Sequence, residues 1–153
     1  MRAPSDVPGP PGARTETRVR YPETDRMGVA HHSHYLVWFE LGRTELMRAL
    51  GCPYGELEDR DGVYFPVTSV GADFRSPARY DERLAIETVI ERVGGARVRF
   101  AYRVTSDDDG RALATGFTEH GATGRNGRPK RIPEALRSRL AGTTGEADEG
   151  RRR

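Results

Sequence analysis

The chain has 153 residues, of which 35% are hydrophobic and 31% are charged, and its formal net charge is +2. This length fits one domain with a sizeable core. No apolar run approaches the roughly 20 residues needed to cross a bilayer, and the Pro- and Gly-rich start does not resemble a signal peptide. Basic residues form no concentrated stripe, which argues against nucleic-acid binding. The single cysteine, Cys52, excludes an internal disulfide framework, so the sequence favours a cytoplasmic protein.

In chain order, residues 1–14 are expected to form a disordered lead, because a Pro- and Gly-rich segment cannot offset the entropy lost on ordering. Weak alternation over residues 15–21 predicts a first strand. Ser33 is the expected N-cap of a helix over residues 35–50, and Gly51 stands where a left-handed helix stop belongs. The first two turns of this helix are apolar almost all round, which predicts burial on more than one side.

From residue 63 onward the hydrophobic period changes from helical to two. The pattern predicts strands over residues 63–74, 83–93, 97–104 and 111–123. Short helices are expected over residues 53–59 and 133–140, and residues 141–153 are expected to form a disordered tail. One strand, one long helix and four further strands predict a single α+β domain over residues 15–140, an antiparallel sheet wrapped around one long central helix.

Asp25 lies in a turn bracketed by Pro22 and Gly28, seven residues before His32. His32 stands where the long helix begins, and a helix N-terminus offers unpaired backbone N–H groups and a partial positive charge. A carboxylate aimed at the same place supplies a nucleophile or a base. An activated carbonyl held between the two can be attacked while its oxyanion is stabilised.

The segment from Tyr21 to Glu45 contains the spaced pattern D-x-x-G-V-x-x-H-x-x-Y. It resembles the opening of hotdog-fold acyl-CoA thioesterases of the 4-hydroxybenzoyl-CoA thioesterase family, within it the bacterial branch associated with the Tol-Pal cluster. Further similarity lies in PARYD before the third strand and in GRPKRIP after the last. The resemblance implies a hotdog fold, with Asp25 as the catalytic aspartate and the backbone N–H of His32 as the group that polarises the thioester carbonyl.

The residues predicted to bind the substrate are Gly28, Val29, His31, Tyr35, Arg79 and Arg128. Arg79 and Arg128 belong to a group of basic residues that suit the phosphates of CoA, together with Arg125, Lys130 and Arg131. The implied substrate is an acyl-CoA, with acyl carrier protein as a second candidate carrier, and neither a metal nor another cofactor is implied. Members of the family form homodimers or homotetramers with active sites between subunits. The family commonly has Tyr at the position of His31 and Asn at that of His34, so this chain carries a local histidine cluster instead.

Thioester hydrolysis suits these residues, because the leaving thiol has a pKa near ~8.5 and departs without strong acid help. The sequence leaves open whether Asp25 attacks the thioester directly or activates a water. The histidines lack the i, i+4 spacing of two metal ligands on one helix face, so no metal site is expected. Two alternatives to acyl-CoA hydrolysis stay open: release of an acyl or polyketide chain from a carrier protein, and acyl-CoA binding without catalysis.

Overall fold

A computed structural model describes residues 12–143. One antiparallel sheet has the strand order β1-β3-β4-β5-β2. Its strands are Ala13–Arg18 (β1), Val67–Phe74 (β2), Arg83–Val93 (β3), Arg97–Ser106 (β4) and Ala112–Gly121 (β5). The α-helices in this part of the chain are His34–Ala49 (α1), Tyr54–Glu56 (α2), which runs into a π-helical turn at Leu57–Asp61, and Glu134–Ala141 (α3).

The middle strand, β4, follows the predicted alternation, whereas β3 is buried on both faces over most of its length. β3 has the predicted bounds, and it pairs with β4 from Leu84 opposite Ser106 onward. Every second residue of β4, including Phe100 and Tyr102, is buried. The ring of Phe39 from α1 stacks on Tyr102 with centroids 4.4 Å apart, so this row of side chains forms the core between the sheet and the helix.

The first strand lies earlier than the sequence predicts. β1 starts at Ala13, inside the expected disordered lead, because its backbone pairs with β3 over six residues. It ends at Arg18, and residues 21–23 form a short 3-10 turn instead of extending the strand. The rest of the expected lead, residues 1–11, and the expected tail beyond residue 143 lie outside the described residues.

Helix α1 begins and ends close to the predicted positions, with Gly51 in the left-handed region at φ 78°. Ser33 occupies the N-cap position, but its hydroxyl bonds to His31 rather than to the helix backbone. The predicted burial on several sides is not met within one chain, since Leu36 is 42% and Val37 50% exposed. The reason is that the sheet covers one side of α1, which packs mainly on β1 and β3.

β2 forms one edge of the sheet, and its free side is not paired with any strand of residues 12–143. It starts at Val67 rather than at residue 63, because Pro66 has no N–H to donate to a ladder. Val70 and Phe74 point to the face on which α1 packs, yet they are 43% and 51% exposed. No helix among residues 12–143 is long and apolar enough to span a bilayer.

Candidate active site

A tight loop over residues 24–30 carries Asp25. Its ends meet at a bridge between Thr24 and Ala30. Inside it, the N–H of Asp25 donates to the Val29 carbonyl (2.9 Å), and the N–H of Gly28 donates to the Asp25 carbonyl (3.0 Å). Gly28 has φ 76°, a left-handed conformation that costs other residues free energy. The glycine therefore lets the chain reverse and fixes the backbone of Asp25.

The half-buried carboxylate of Asp25 is oriented by its own loop. Oδ1 accepts a hydrogen bond from the N–H of Met27 at 2.8 Å, which is an Asx turn. Among residues 12–143 no hydrogen-bond donor is bonded to Oδ2. One oxygen thus anchors the side chain, and the other is available to a ligand or a water.

The backbone at the start of α1 leaves one particular N–H unused. His34 donates to the His31 carbonyl (3.0 Å), and Tyr35 donates to the His32 carbonyl (3.2 Å). The N–H of Ser33 donates to Nδ1 of His31 at 3.3 Å. Within the described part of the chain, the N–H of His32 has no acceptor. A donor of this kind beside a helix N-terminus suits a developing oxyanion.

The structure brings several predicted site residues into one cavity of about 370 Å³. Asp25, His31, His32 and Tyr35 line it, together with residues 74–77 at the end of β2. The rings of His31 and His32 lie 4.1 Å apart, and the Phe74 ring meets His32 edge-on at 6.3 Å. The residues that line the cavity therefore carry a carboxylate, aromatic rings and a backbone N–H without an acceptor among the described residues.

Two further properties of the cavity bear on its chemistry. Burial raises the pKa of Tyr35 above its ordinary value of 10.0, so its hydroxyl stays protonated at neutral pH. Among residues 12–143 no group of three or more His, Cys, Asp or Glu side chains has a geometry that could hold a metal ion.

The other predicted substrate-binding residues lie outside this cavity's lining. Gly28 and Val29 belong to the Asp25 loop itself. Val29 forms a backbone bridge with Arg79, and the Gly28 carbonyl accepts a hydrogen bond from the N–H of Tyr80 (3.3 Å), so Arg79 lies beside that loop. Arg128 is elsewhere, in a loop whose cavity of about 560 Å³ also contains Arg125 and Lys130. A single copy of the chain does not bring Arg128 to Asp25.

Glu23 is a site-supporting residue that the sequence reasoning missed. Its carboxylate is 3% exposed and accepts hydrogen bonds from the N–H of Arg20 (2.7 Å) and from Nε1 of Trp38 (3.2 Å). Its backbone carbonyl accepts from the N–H of His31 at 2.9 Å. Glu23 therefore ties the Asp25 loop to α1 from both sides. No local pattern marks it, because Trp38 lies 15 residues away in the chain.

Fold and cavity together define the class of protein. The family model described as the thioesterase-like superfamily matches residues 19–140. The chain belongs to that superfamily, and the hotdog fold that the sequence resemblance predicted is confirmed by the structural comparisons below.

Individual relatives agree with this assignment. The chain is 36% identical to the acyl-CoA thioesterase YbgC of Haemophilus influenzae over 57% of this chain and 64% of that protein. It is 31% identical to the acyl-CoA thioester hydrolase YbgC of Escherichia coli over 63% of this chain and 71% of that protein. Among solved structures, hypothetical protein TT1821 of Thermus thermophilus superposes with a TM-score of 0.80 at 39% identity, covering 86% of this chain and 97% of that one. The DHNA-CoA thioesterase of Staphylococcus aureus gives a TM-score of 0.83 at 27% identity, with coverages of 92% and 95%.

Proposed function

We propose that this protein hydrolyses acyl-CoA thioesters to a free acid and CoA. Asp25 acts as nucleophile or general base, and the backbone N–H of His32 polarises the thioester carbonyl. The observation that carries the proposal is that a carboxylate with one free oxygen and a backbone N–H without an acceptor lie at one cavity. The named relatives support acyl-CoA as the substrate. They do not favour carrier-protein release or binding without catalysis.

Two routes satisfy this geometry. In the first, Oδ2 of Asp25 attacks the carbonyl carbon, CoA leaves as a thiolate, and water hydrolyses the resulting mixed anhydride. In the second, the carboxylate takes a proton from a water that attacks the same carbon, and the thiolate leaves in the same way. Both routes place negative charge on the carbonyl oxygen, where the N–H of His32 would donate. The thiol has a pKa near ~8.5, so neither route needs a strong acid.

The proposal includes a homodimer formed through β2. β2 is an unpaired edge of the sheet, and edges of this kind pair readily with another strand. The strand itself carries three exposed apolar side chains, which are Val67, Val70 and Phe74. Because Phe74 also lines the Asp25 cavity, a second copy paired along β2 would close that cavity against water. The homotetramer and the cytoplasmic location remain predictions from the sequence.

The same dimer would give Arg128 a role. A bridge joins Tyr64, just before β2, to Thr123, and a second bridge joins Thr123 to Pro129. The basic loop therefore stands at the N-terminal end of β2. Antiparallel pairing of two β2 strands would bring that end beside Phe74 of the other copy. There Arg128 of one copy and Arg79 of the other could hold the phosphates of CoA, since guanidinium groups bind phosphate oxygens in pairs.

The test is thiol release from acyl-CoA substrates by wild-type protein and by Asp25→Asn. The variant removes the charge and keeps the side-chain shape, so we expect folding to be retained and kcat to fall by roughly 10²–10⁴. Asp59→Asn, at an exposed position away from the cavity, serves as the matched control and should keep wild-type activity. Hydrolysis by Asp25→Asn within a few-fold of wild type would show that Asp25 is not the reactive group.

A further inference from the structure

A second cavity, of about 680 Å³, lies between α1, the turn at α2 and the segment before β2. Its walls include Glu40, Arg43, Thr44, Tyr54, Tyr64 and Phe65. This volume is typical of sites that hold small molecules. It shares no lining residue with the Asp25 cavity of the same chain, and the proposed hydrolysis at Asp25 does not use it.

A chain of hydrogen bonds runs from Phe65, which lines this cavity, through His120 and Thr118 to Tyr102, and its protons can be assigned. The Phe65 carbonyl can only accept, so Nδ1 of His120, 2.9 Å away, carries the hydrogen. Burial lowers the pKa of His120 to about 4, so the ring is neutral and Nε2 accepts from the Thr118 hydroxyl at 2.8 Å. Thr118 must then accept from Tyr102. The hydroxyl hydrogen of Tyr102 is therefore already used, and its oxygen faces Arg43 only as an acceptor.

In the part of the chain that the structure describes, one hydroxyl of the cavity lacks a hydrogen-bond partner, and one cation, which faces the hydroxyls of Tyr54 and Tyr102, lacks a counter-charge. The hydroxyl of Tyr54 is buried and has no hydrogen-bond partner among the described residues. Burial raises its pKa well above the ordinary value, so it remains an O–H donor. The guanidinium of Arg43 has no carboxylate at salt-bridge distance within residues 12–143, and Glu45 pairs with Arg48 instead (3.5 Å). An orphaned buried donor and an unpaired half-buried cation favour a ligand that accepts hydrogen bonds and carries negative charge.

The remaining residues that line the cavity restrict the chemistry of the ligand further. Glu40 and Glu58 also line the cavity, but neither forms a salt bridge with Arg43, and Glu40 is exposed to solvent, which screens its charge. The rings of Tyr54 and Phe65 lie 6.4 Å apart and form an apolar wall. The complementary group is a carboxylate on an apolar or aromatic body, because a planar guanidinium binds a carboxylate through two parallel hydrogen bonds.

We propose that this cavity receives the far end of the substrate's acyl group and selects acyl groups that end in a carboxylate. The inference rests on the proposed function and on the proposed pairing of β2. In that pairing Phe74, at the Asp25 cavity of one copy, lies beside Val67 of the other. Phe65 and Pro66 of the second cavity come directly before Val67 in the chain. The thioester would sit at Asp25 of one copy, and the distal carboxylate would bind Arg43 and Tyr54 of the other.

The experiment compares two matched pairs of substrates by kcat/KM. These are 4-carboxybenzoyl-CoA against benzoyl-CoA, and adipoyl-CoA against heptanoyl-CoA. Wild type should prefer the carboxylated member of at least one pair by about 10- to 100-fold, the range expected for hydrogen bonds to a charged group. Arg43→Met and Tyr54→Phe should each reduce that preference. Arg48→Met changes an exposed arginine of the same helix and should retain it.

If Arg43→Met does not fold, Tyr54→Phe still tests the proposal. Its folding should be unaffected, because the Tyr54 hydroxyl forms no hydrogen bond within the described residues. Equal or better hydrolysis of the neutral members, or a preference that survives in both variants, overturns the proposal. Hydrolysis of no CoA ester at all would refute the proposed function instead. In that case calorimetry with free terephthalate decides the carboxylate site: binding that Tyr54→Phe weakens supports it, and absence of binding overturns it.

Discussion

His120 couples the stability of this fold to pH. Its imidazole is fully buried in β5, where it bonds to the Phe65 carbonyl and to Thr118. Burial lowers its pKa to about 4, compared with an ordinary value of 6.5. In the unfolded chain the ring is exposed and titrates near the ordinary value, so between these two pH values the unfolded state binds more protons than the folded state.

The sign and size of the effect follow from that difference. Where the unfolded state binds more protons, the free energy of unfolding rises with pH. The contribution of His120 is therefore complete above pH 6.5 and is lost as the pH falls towards 4. One pKa unit corresponds to about 1.4 kcal/mol, so the whole change amounts to roughly 3 kcal/mol. This is a large part of the 5–15 kcal/mol typical of a domain.

The assay is urea denaturation of wild type and His120→Gln, at one protein concentration and at several values from about pH 7.5 to about pH 4. Glutamine keeps an amide that can donate to the Phe65 carbonyl but does not titrate. At the highest pH, wild type should have the larger free energy of unfolding. Its difference from His120→Gln should shrink by roughly 3 kcal/mol towards the lowest pH. The other ionisable groups are the same in both proteins, so their contributions cancel in the comparison. An advantage that stays constant over this range would refute the reasoning.

Three further predictions concern the loop, the core and the sheet edge. Glu23→Gln should lower the free energy of unfolding by about 1–3 kcal/mol and lower kcat more than it raises KM, because the neutral amide cannot form the charge-assisted hydrogen bonds of the buried carboxylate. Denaturation followed by tryptophan fluorescence and steady-state kinetics would check both effects, and unchanged values would refute the prediction. Gly42→Ala should destabilise the protein by about 1–3 kcal/mol, because its new Cβ would overlap the hydroxyl of Thr88 on β3. Gly55→Ala has open space and should be neutral or slightly stabilising in thermal melts. Val70→Lys should convert the proposed dimer to monomers in light scattering and reduce kcat. A dimer that persists in this variant would contradict pairing through β2.

Much of the fold was predictable because period and turn chemistry are local properties. The two-residue period over residues 83–93 predicted β3 with its observed bounds, and Gly51 ended α1 in the left-handed region as expected. The boundaries that moved depended on partners far away in the chain. β1 begins at Ala13 because β3 offers a backbone to pair with, which no local composition reveals. The exposed Leu36 and Val37 show the same limit, because a helix pattern does not say how many sides its own chain will cover.

The candidate site divides in the same way. The spacing in the sequence brought Asp25, His31, His32 and Tyr35 into consideration, and the structure gathers these residues at one cavity. Whether Asp25 and His32 perform the chemistry remains a prediction for the mutant to test. Sequence reasoning did not single out Glu23 or the Arg43 cavity, because their partners come from different elements. It grouped Arg128 with the site, whereas in one chain Arg128 lies in a separate loop cavity.

The sequence by itself determined the class of fold, the long helix with its stop, and the short stretch that carries Asp25 and His32, since these follow from periodicity and from residues close together in the chain. Only the tertiary structure decided which backbone N–H stays unpaired at the start of α1 and which carboxylate is buried beneath the Asp25 loop. It also decided that the Tyr54 hydroxyl in the second cavity has no hydrogen-bond partner among the described residues. The physical reason is that a hydrogen bond is either formed or missing according to atoms brought together from distant parts of the chain. Local sequence sets the available donors and acceptors, and packing decides which of them remain unpaired.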